Sequence, residues 1–128
     1  MKAILDTHAL IWAVDDPERM GTQARRILQD PSNERLFSSG SIWELAIKSG
    51  LGKLTLSRPF QNWIEQAVTD LQLTILPISI ECAAAQSSLP THHRDPFDRL
   101  LVAHALVESA AILSFDTVFD RSEIDRVW

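Results

Sequence analysis

The sequence has little cysteine, no basic excess and no apolar run long enough to cross a membrane. Its one cysteine, Cys82, excludes an internal disulfide and is typical of a reducing cytoplasm. The apolar N-terminal stretch contains Asp6 and His8 and is preceded by a single basic residue, Lys2, so we expect neither a secretory signal nor a transmembrane span. These absences predict a cytoplasmic protein that is not attached to a membrane.

The charge balance is acidic, with 17 Asp and Glu against 12 Lys and Arg and a formal net charge of −5. Such a balance disfavours a polyanionic partner. The objection weakens if the acids are gathered in one metal-binding pocket, because the bound cation is then the largest local charge. Net charge therefore leaves the class of partner open.

Length and patterning predict a single α/β domain over residues 1–128. Hydrophobic residues make up 45% of the chain, so disorder is not expected. Short apolar runs alternate with helical patterns. The strand candidates are 3–5, 34–38, 73–78 and 111–115, and the helix candidates are 7–14, 23–29, a helix from 41, 57–71, 81–88 and 97–108. This alternation predicts a mostly parallel sheet with helices on both faces.

Several helix starts have capping signals. Ser41–Glu44 fits the Ser-x-x-Glu capping box, and Ser57, Ser79 and Asp95 are predicted N-caps.

Four carboxylates occupy comparable places in this predicted topology. Asp6 follows the first strand, Glu44 and Asp98 lie early in helices, and Asp116 follows the last clear strand. In a parallel sheet these places share one edge, where ligand sites of α/β proteins lie. Carboxylates gathered there would repel one another unless a cation is present, and an oxygen-only donor set favours Mg²⁺ or Mn²⁺ over zinc.

Each acid also has a structural interpretation. Asp6 and Asp95 could be N-caps, Glu44 part of a capping box, Asp98 a favourable charge at a helix N-terminus and Asp116 a turn residue. Only the coincidence of four acids on one edge favours a site.

Other polar and aromatic residues give weaker signals. The four histidines (His8, His92, His93 and His104) lack metal-ligand spacing, so we expect none to be a ligand or an essential base. The basic residues predicted near the acidic edge, where they could meet phosphates or remain solvated, are Arg94, Arg99, Lys48 and Lys53. Trp12, Trp43 and Trp63 lie on predicted helices and are interpreted as core or partner-facing rather than base-stacking.

Four segments together resemble PIN-domain ribonucleases of the VapC toxin type, in the order used by that family. They are Leu5–Leu10, Ser41–Lys48 with Gly52–Leu54, His93–Arg99, and Ser114–Asp116 with Phe119. The resemblance implies a three-layer α/β/α fold, metal-dependent cleavage of RNA, homodimerisation, a prokaryotic cytoplasm and neutralisation by a cognate VapB-type antitoxin.

Carried over by residue, the resemblance makes Asp6, Glu44, Asp98 and Asp116 the metal-site acids, with Asp95 a less certain addition. Ser114 occupies the place of a small hydroxyl residue. Two positions depart from the family pattern: His104 stands where a glutamine is expected and Phe115 where a smaller residue is.

The resemblance also implies an apolar surface on the first helices for an amphipathic antitoxin helix. Trp12 and Trp63 are the residues predicted to contact it.

Three other classes of protein are the alternatives. A receiver-like domain also places acids and Mg²⁺ at strand ends, but it needs an acidic pair after its first strand, where this chain has Asp6 alone; a haloacid-dehalogenase-type phosphatase fails on a similar point. A non-catalytic interaction module with solvated acids predicts no binding of divalent metal.

Overall fold

The computed structural model describes residues 1–90 and 95–128, along which strands and helices alternate. The strands are β1 (Lys2–Leu5), β2 (Glu34–Ser38), β3 (Thr74–Leu76), β4 (Ala111–Leu113) and β5 (Arg126–Val127). The helices are α1 (Thr7–Asp15), α2 (Thr22–Gln29), α3 (Ser39–Gly50), α4 (Phe60–Asp70), α5 (Ile80–Ser87) and α6 (Pro96–Glu108), with short 3₁₀ turns at Pro17–Arg19 and Thr117–Arg121. None of these helices has both the length and the apolar character needed to span a bilayer.

The strands form one parallel sheet in the order β3-β2-β1-β4-β5. β1 lies at its centre, where Ile4 is in register with Leu36 on one side and Ile112 on the other. Since every observed pairing is parallel, the carboxyl ends of the strands share one edge. The predicted mostly parallel sheet is confirmed.

Helices cover both faces of the sheet. Leu5 belongs to an apolar cluster with Leu10 of α1 and Trp63 of α4, whereas Ile4 belongs to a second cluster with Val102 of α6. Adjacent side chains of a strand point to opposite faces, so these two clusters lie on opposite sides of the sheet. The architecture is the predicted three-layer α/β/α arrangement.

Two predicted helix caps are wrong. α3 begins at Ser39, because the Ser38 hydroxyl at the end of β2 already accepts a hydrogen bond from the Gly40 N–H at 3.0 Å. Glu44 therefore lies beyond the first turn rather than in a capping box. Ser57 does not cap α4; its N–H and hydroxyl instead donate to Asp15 at 3.0 and 2.6 Å.

The other two predicted caps are confirmed. The Ser79 hydroxyl accepts from the Cys82 N–H, and the Asp95 carboxylate accepts from the N–H groups of Phe97 and Asp98.

The sequence patterns did not predict β5, which has two residues. It is held by β4, whose neighbour Ser114 donates its N–H to the Val127 carbonyl at 3.2 Å while Ile112 donates to Asp125 at 2.8 Å. This strand brings the end of the chain beside the carboxyl edge of the sheet.

Candidate active site

The carboxyl edge of the sheet carries a cleft of about 930 Å³ with acidic walls. Its acidic lining residues are Asp6, Glu44, Asp95, Asp98 and Asp116. Asp6 directly follows β1, Asp116 lies beyond the end of β4, Glu44 comes from α3, and Asp95 and Asp98 come from the start of α6. The structure thus brings together in one cleft the four acids selected from the sequence and Asp95, the less certain addition.

Asp6 is both a helix cap and a wall of this cleft. Its Oδ1 accepts a hydrogen bond from the Ala9 N–H at 2.7 Å, and its Oδ2 accepts one from the Ser114 hydroxyl. Burial raises the pKa of the Asp6 carboxyl, and the two hydrogen bonds oppose that shift only in part. A partly buried acid with a raised pKa favours a proton or a cation nearby.

Glu44 is buried and uses both of its oxygens. Oε1 accepts from the Thr7 hydroxyl, and Oε2 lies 2.7 Å from the Lys48 ammonium, one turn further along α3. The hydrogen bond to Glu44 raises the pKa of Lys48, against the opposing effect of burial. Lys48 is therefore held inside the acidic cleft as a cation.

The pKa of Asp98 reflects both its burial and the negative charges gathered in the cleft. Burial is the largest cause that raises its pKa to about 7, and the charges of Asp95, Asp116, Glu44 and Asp6 raise it further. The Asp116 carboxylate accepts from the Val118 N–H at 2.9 Å, and the Asp116 backbone N–H donates to the Ser114 hydroxyl at 3.0 Å.

The donor set fits a hard divalent cation, because carboxylate and hydroxyl oxygens line the cleft and their negative charge is poorly compensated. Within residues 1–90 and 95–128, no three acidic, histidine or cysteine side chains are arranged to hold an ion as they stand. Hydrogen bonds from Thr7, Ser114 and Lys48 occupy the carboxylates of Glu44 and Asp6. A bound ion would therefore compete with the Lys48 ammonium for Glu44.

The basic residues predicted to meet phosphates have separate positions. Lys48 lies in the cleft, whereas the Arg99 guanidinium donates to the carbonyls of Gln86, Leu89 and Pro90, which ties the end of α5 to α6. Arg94 lies outside the described residues, as do His92 and His93.

Two arginines in the cleft were not predicted from the sequence. Arg19 and Arg126 both line it. Arg126 pairs with Asp120 at 2.8 Å and donates to the Ser114 carbonyl at 3.1 Å. No motif marks them, since their positions depend on the 3₁₀ turn after α1 and on the unpredicted β5.

The two tryptophans predicted as antitoxin contacts differ in exposure. Trp63 is only 1% exposed and its indole N–H donates to Asp15 at 3.1 Å, so the prediction that it contacts a partner is wrong. The spacing of Trp63 among the apolar residues of α4 is typical of the helix face that packs in the core. Trp12 is partly buried and lines the cleft beside Phe115 and Trp128.

Known proteins share this architecture. A chain of VapBC2 from Rickettsia felis, bound to a DNA fragment from its promoter, aligns with a TM-score of 0.74 and 19% identity over 99% of this chain and 98% of that one. DNA-bound VapBC from Salmonella typhimurium gives 0.75 and 18% over 99% and 97%, and VapBC-1 from nontypeable Haemophilus influenzae gives 0.67 and 18% over 99% and 97%. No curated protein sequence matches significantly. The PIN domain family matches residues 3–124, and the chain therefore belongs to that family.

Proposed function

We propose that this PIN domain is a Mg²⁺- or Mn²⁺-dependent endoribonuclease that acts as the toxin of a type II toxin–antitoxin module. The observation that carries the proposal is the convergence of Asp6, Glu44, Asp95, Asp98 and Asp116 on one cleft at the carboxyl edge of the sheet. Asp6, Asp95 and Asp116 also cap backbone N–H groups and Glu44 pairs with Lys48, but these separate roles do not require the acids to share one cleft with Asp98. In that cleft, burial and the charges of the neighbouring carboxylates raise the pKa of Asp98 to about 7, so gathering the acids is unfavourable without a bound cation.

The acids would hold the cation and the hydroxyl groups would orient the acids. Asp6, Glu44, Asp98 and Asp116 are the proposed ligands, with Asp95 at the rim. A divalent ion bound there supplies an activated water and stabilises the negative charge that develops at a phosphodiester. Ser114 and Thr7 hold one oxygen each of Asp6 and Glu44, which limits rotation of both carboxylates. No side-chain nucleophile is required.

In this proposal Lys48 has two roles, one at Glu44 and one at the RNA. In the metal-free protein its ammonium neutralises Glu44. If Glu44 held a bound cation, the Lys48 ammonium would be available to contact a phosphate oxygen of the RNA.

A VapB-type antitoxin is the proposed partner, supported by the likeness of the fold to chains of VapBC complexes. An acidic cleft is a suitable receptor for an arginine of such a peptide, which would compete with the metal. Trp12, partly buried at the cleft, stays a predicted contact for it. A homodimer and a prokaryotic cytoplasmic location belong to the same proposal.

The test is a Mg²⁺ and Mn²⁺ titration of purified, antitoxin-free protein against a structured RNA, with EDTA as the metal-free control. Asp6→Asn should abolish cleavage and leave the circular dichroism spectrum unchanged. Asp70→Asn is the matched control, because Asp70 is an exposed acid on α4 that bonds only Gln66 among the contacts seen in residues 1–90 and 95–128. Full metal-dependent activity in Asp6→Asn would refute the proposal.

A further inference from the structure

Part of the wall of the cleft is aromatic. Trp12, Phe115 and Trp128, here called the aromatic cluster, all line the cleft and contact one another edge to face. Their ring centroids are 6.0 Å apart for Trp12 and Phe115, 5.5 Å for Trp12 and Trp128, and 6.1 Å for Phe115 and Trp128, with interplanar angles of 74°, 64° and 73°. Such packing is favourable for aromatic rings and makes the cluster a unit.

The backbone holds Phe115 close to the acids. Phe115 lies between Ser114, which is fully buried and bonds Asp6, and Asp116, which lines the same cleft. The backbone that follows β4 therefore places Phe115 directly beside two residues of the acidic site.

Trp128 is held just as firmly. Its carbonyl accepts hydrogen bonds from the N–H groups of Gln23 and Ala24 at the start of α2, at 3.1 and 3.4 Å. At Gly21 a Cβ atom would come within 2.2 Å of the Trp128 backbone, so this close approach requires glycine. Trp12 contacts both of these anchored rings.

Despite this support, Phe115 remains 64% exposed. Two flanking rings hold it while most of its surface faces solvent beside the cleft. Arg19 lies over the Trp12 ring, with its guanidinium carbon 4.4 Å from the centroid. Exposed aromatic rings interleaved with cationic side chains are the components with which proteins hold unpaired nucleic acid strands.

We propose that Phe115, supported by Trp12 and Trp128, stacks an unpaired base of the RNA adjacent to the phosphate at the acids, while Arg19 contacts the backbone of that nucleotide. This inference rests on the proposed action on RNA and deepens it, since it assigns a base-binding site beside the acids. A duplex keeps its bases stacked on each other and presents no free face to the ring.

The experiment measures binding separately from cleavage. A short, labelled, single-stranded RNA is titrated with protein in Ca²⁺, and its anisotropy gives Kd. Phe115→Ala should weaken binding roughly 5- to 150-fold, the range expected for one stacked base, whereas Phe115→Tyr, which keeps the ring, should bind as wild type does. Trp43→Ala is the matched control, because Trp43 is an equally exposed aromatic on α3, 67% exposed, and should leave Kd unchanged.

A double-mutant cycle identifies the base. An abasic site is moved along the RNA; at one position it should weaken wild-type binding by the same factor as Phe115→Ala and add nothing in that variant. The proposal is overturned if no position shows this coupling, or if Phe115→Ala binds RNA as wild type does, the result expected if the ring receives a partner protein instead.

The two proposals fail in different ways. Ring–base coupling without cleavage in Mg²⁺ or Mn²⁺ would support the stacking site and refute the nuclease. Cleavage that needs Asp6, but without any coupling, would retain the nuclease and refute the stacking site.

Discussion

The hydroxyl of Ser114 donates a hydrogen bond to Oδ2 of Asp6 and joins residues that are 108 positions apart in the chain. The same hydroxyl accepts from the Asp116 N–H at 3.0 Å, and the Asp6 N–H donates to the Leu113 carbonyl at 3.1 Å. One buried serine thus ties the acid after β1 to the acid near the end of β4. Because β1 and β4 are adjacent, the sheet itself holds both acids in place.

Ser114→Ala should therefore reduce RNA cleavage about 10- to 100-fold, because an acid that loses its orienting hydrogen bond binds a metal less well. Stability should fall by about 1–3 kcal/mol, since the variant leaves the Asp116 N–H and an Asp6 oxygen without this partner. Cleavage rates across a Mg²⁺ series and urea unfolding measure the two effects. Ser87→Ala, which removes an exposed hydroxyl on α5, should change neither quantity; equal losses in both variants would contradict the orienting role.

Asp98→Asn should stabilise the metal-free protein at pH 8. Burial and four neighbouring carboxylates raise the pKa of Asp98 to about 7, so the stability that its neutral form provides is fully present below the ordinary value of 3.8 and is lost as pH rises through about 7. The amide avoids that loss, and after allowance for partial exposure we expect a gain of about 1–2 kcal/mol. Thermal melts in EDTA measure it.

Mg²⁺ should stabilise wild type more than it stabilises Asp98→Asn. It should raise the Tm of wild type and raise that of Asp98→Asn far less, because the amide is a poorer ligand. If Asp98→Asn melts below wild type in EDTA, the ionised Asp98 carboxylate does not destabilise the folded protein.

The acids at the strand ends were predictable, and the reasons are local. Asp6 and Asp116 come at the ends of short apolar runs, so strand direction alone puts them at the carboxyl edge. Glu44 reached the cleft although its predicted cap was wrong. Both Ser38 and Ser41 satisfy a capping pattern, and the choice depends on where β2 ends, which is set by its pairing with β1 and β3.

What could not be predicted depends on contacts distant in sequence. β5 is two residues long and shows no periodicity, so its place follows only from backbone bonds to β4. The aromatic cluster needs β5 to bring Trp128 beside Trp12. Trp63 could be assigned to an apolar helix face, but only the packing of α4 shows that its indole meets Asp15 rather than a partner.

Lys48→Met should lower the Tm of the metal-free protein and increase the stabilisation by Mg²⁺. The ammonium neutralises Glu44 at 2.7 Å; without it the buried carboxylate faces Asp6 and Asp98 uncompensated, which we expect to cost about 1 kcal/mol. The methionine keeps the apolar stem. Differential scanning fluorimetry with and without Mg²⁺ measures both effects, and Lys53→Met in the exposed turn after α3 is the control. A smaller Mg²⁺ effect in Lys48→Met would show that the lysine helps to bind the ion.

The protein should lose stability below about pH 6.5 because of His104, which is 3% exposed on α6. Its Nε2 lies 2.8 Å from the Ser38 hydroxyl and its Nδ1 3.5 Å from the Cys82 sulfur. Burial lowers the pKa of His104 from its ordinary 6.5, with Glu108 opposing the shift. The unfolded chain therefore binds a proton on this residue before the folded protein does.

Stability from His104 is thus present above pH 6.5 and is lost as pH falls toward the lowered folded value, by at most about 1.4 kcal/mol per pH unit. His104→Gln keeps a hydrogen-bonding group at Ser38 but cannot take up the proton, so its unfolding free energy should fall less between pH 7 and pH 5.5. Urea titrations at a series of pH values measure the slope. His8→Gln, a change at an exposed histidine of α1, is the comparison, and an unchanged slope in His104→Gln would assign the acid sensitivity to other groups.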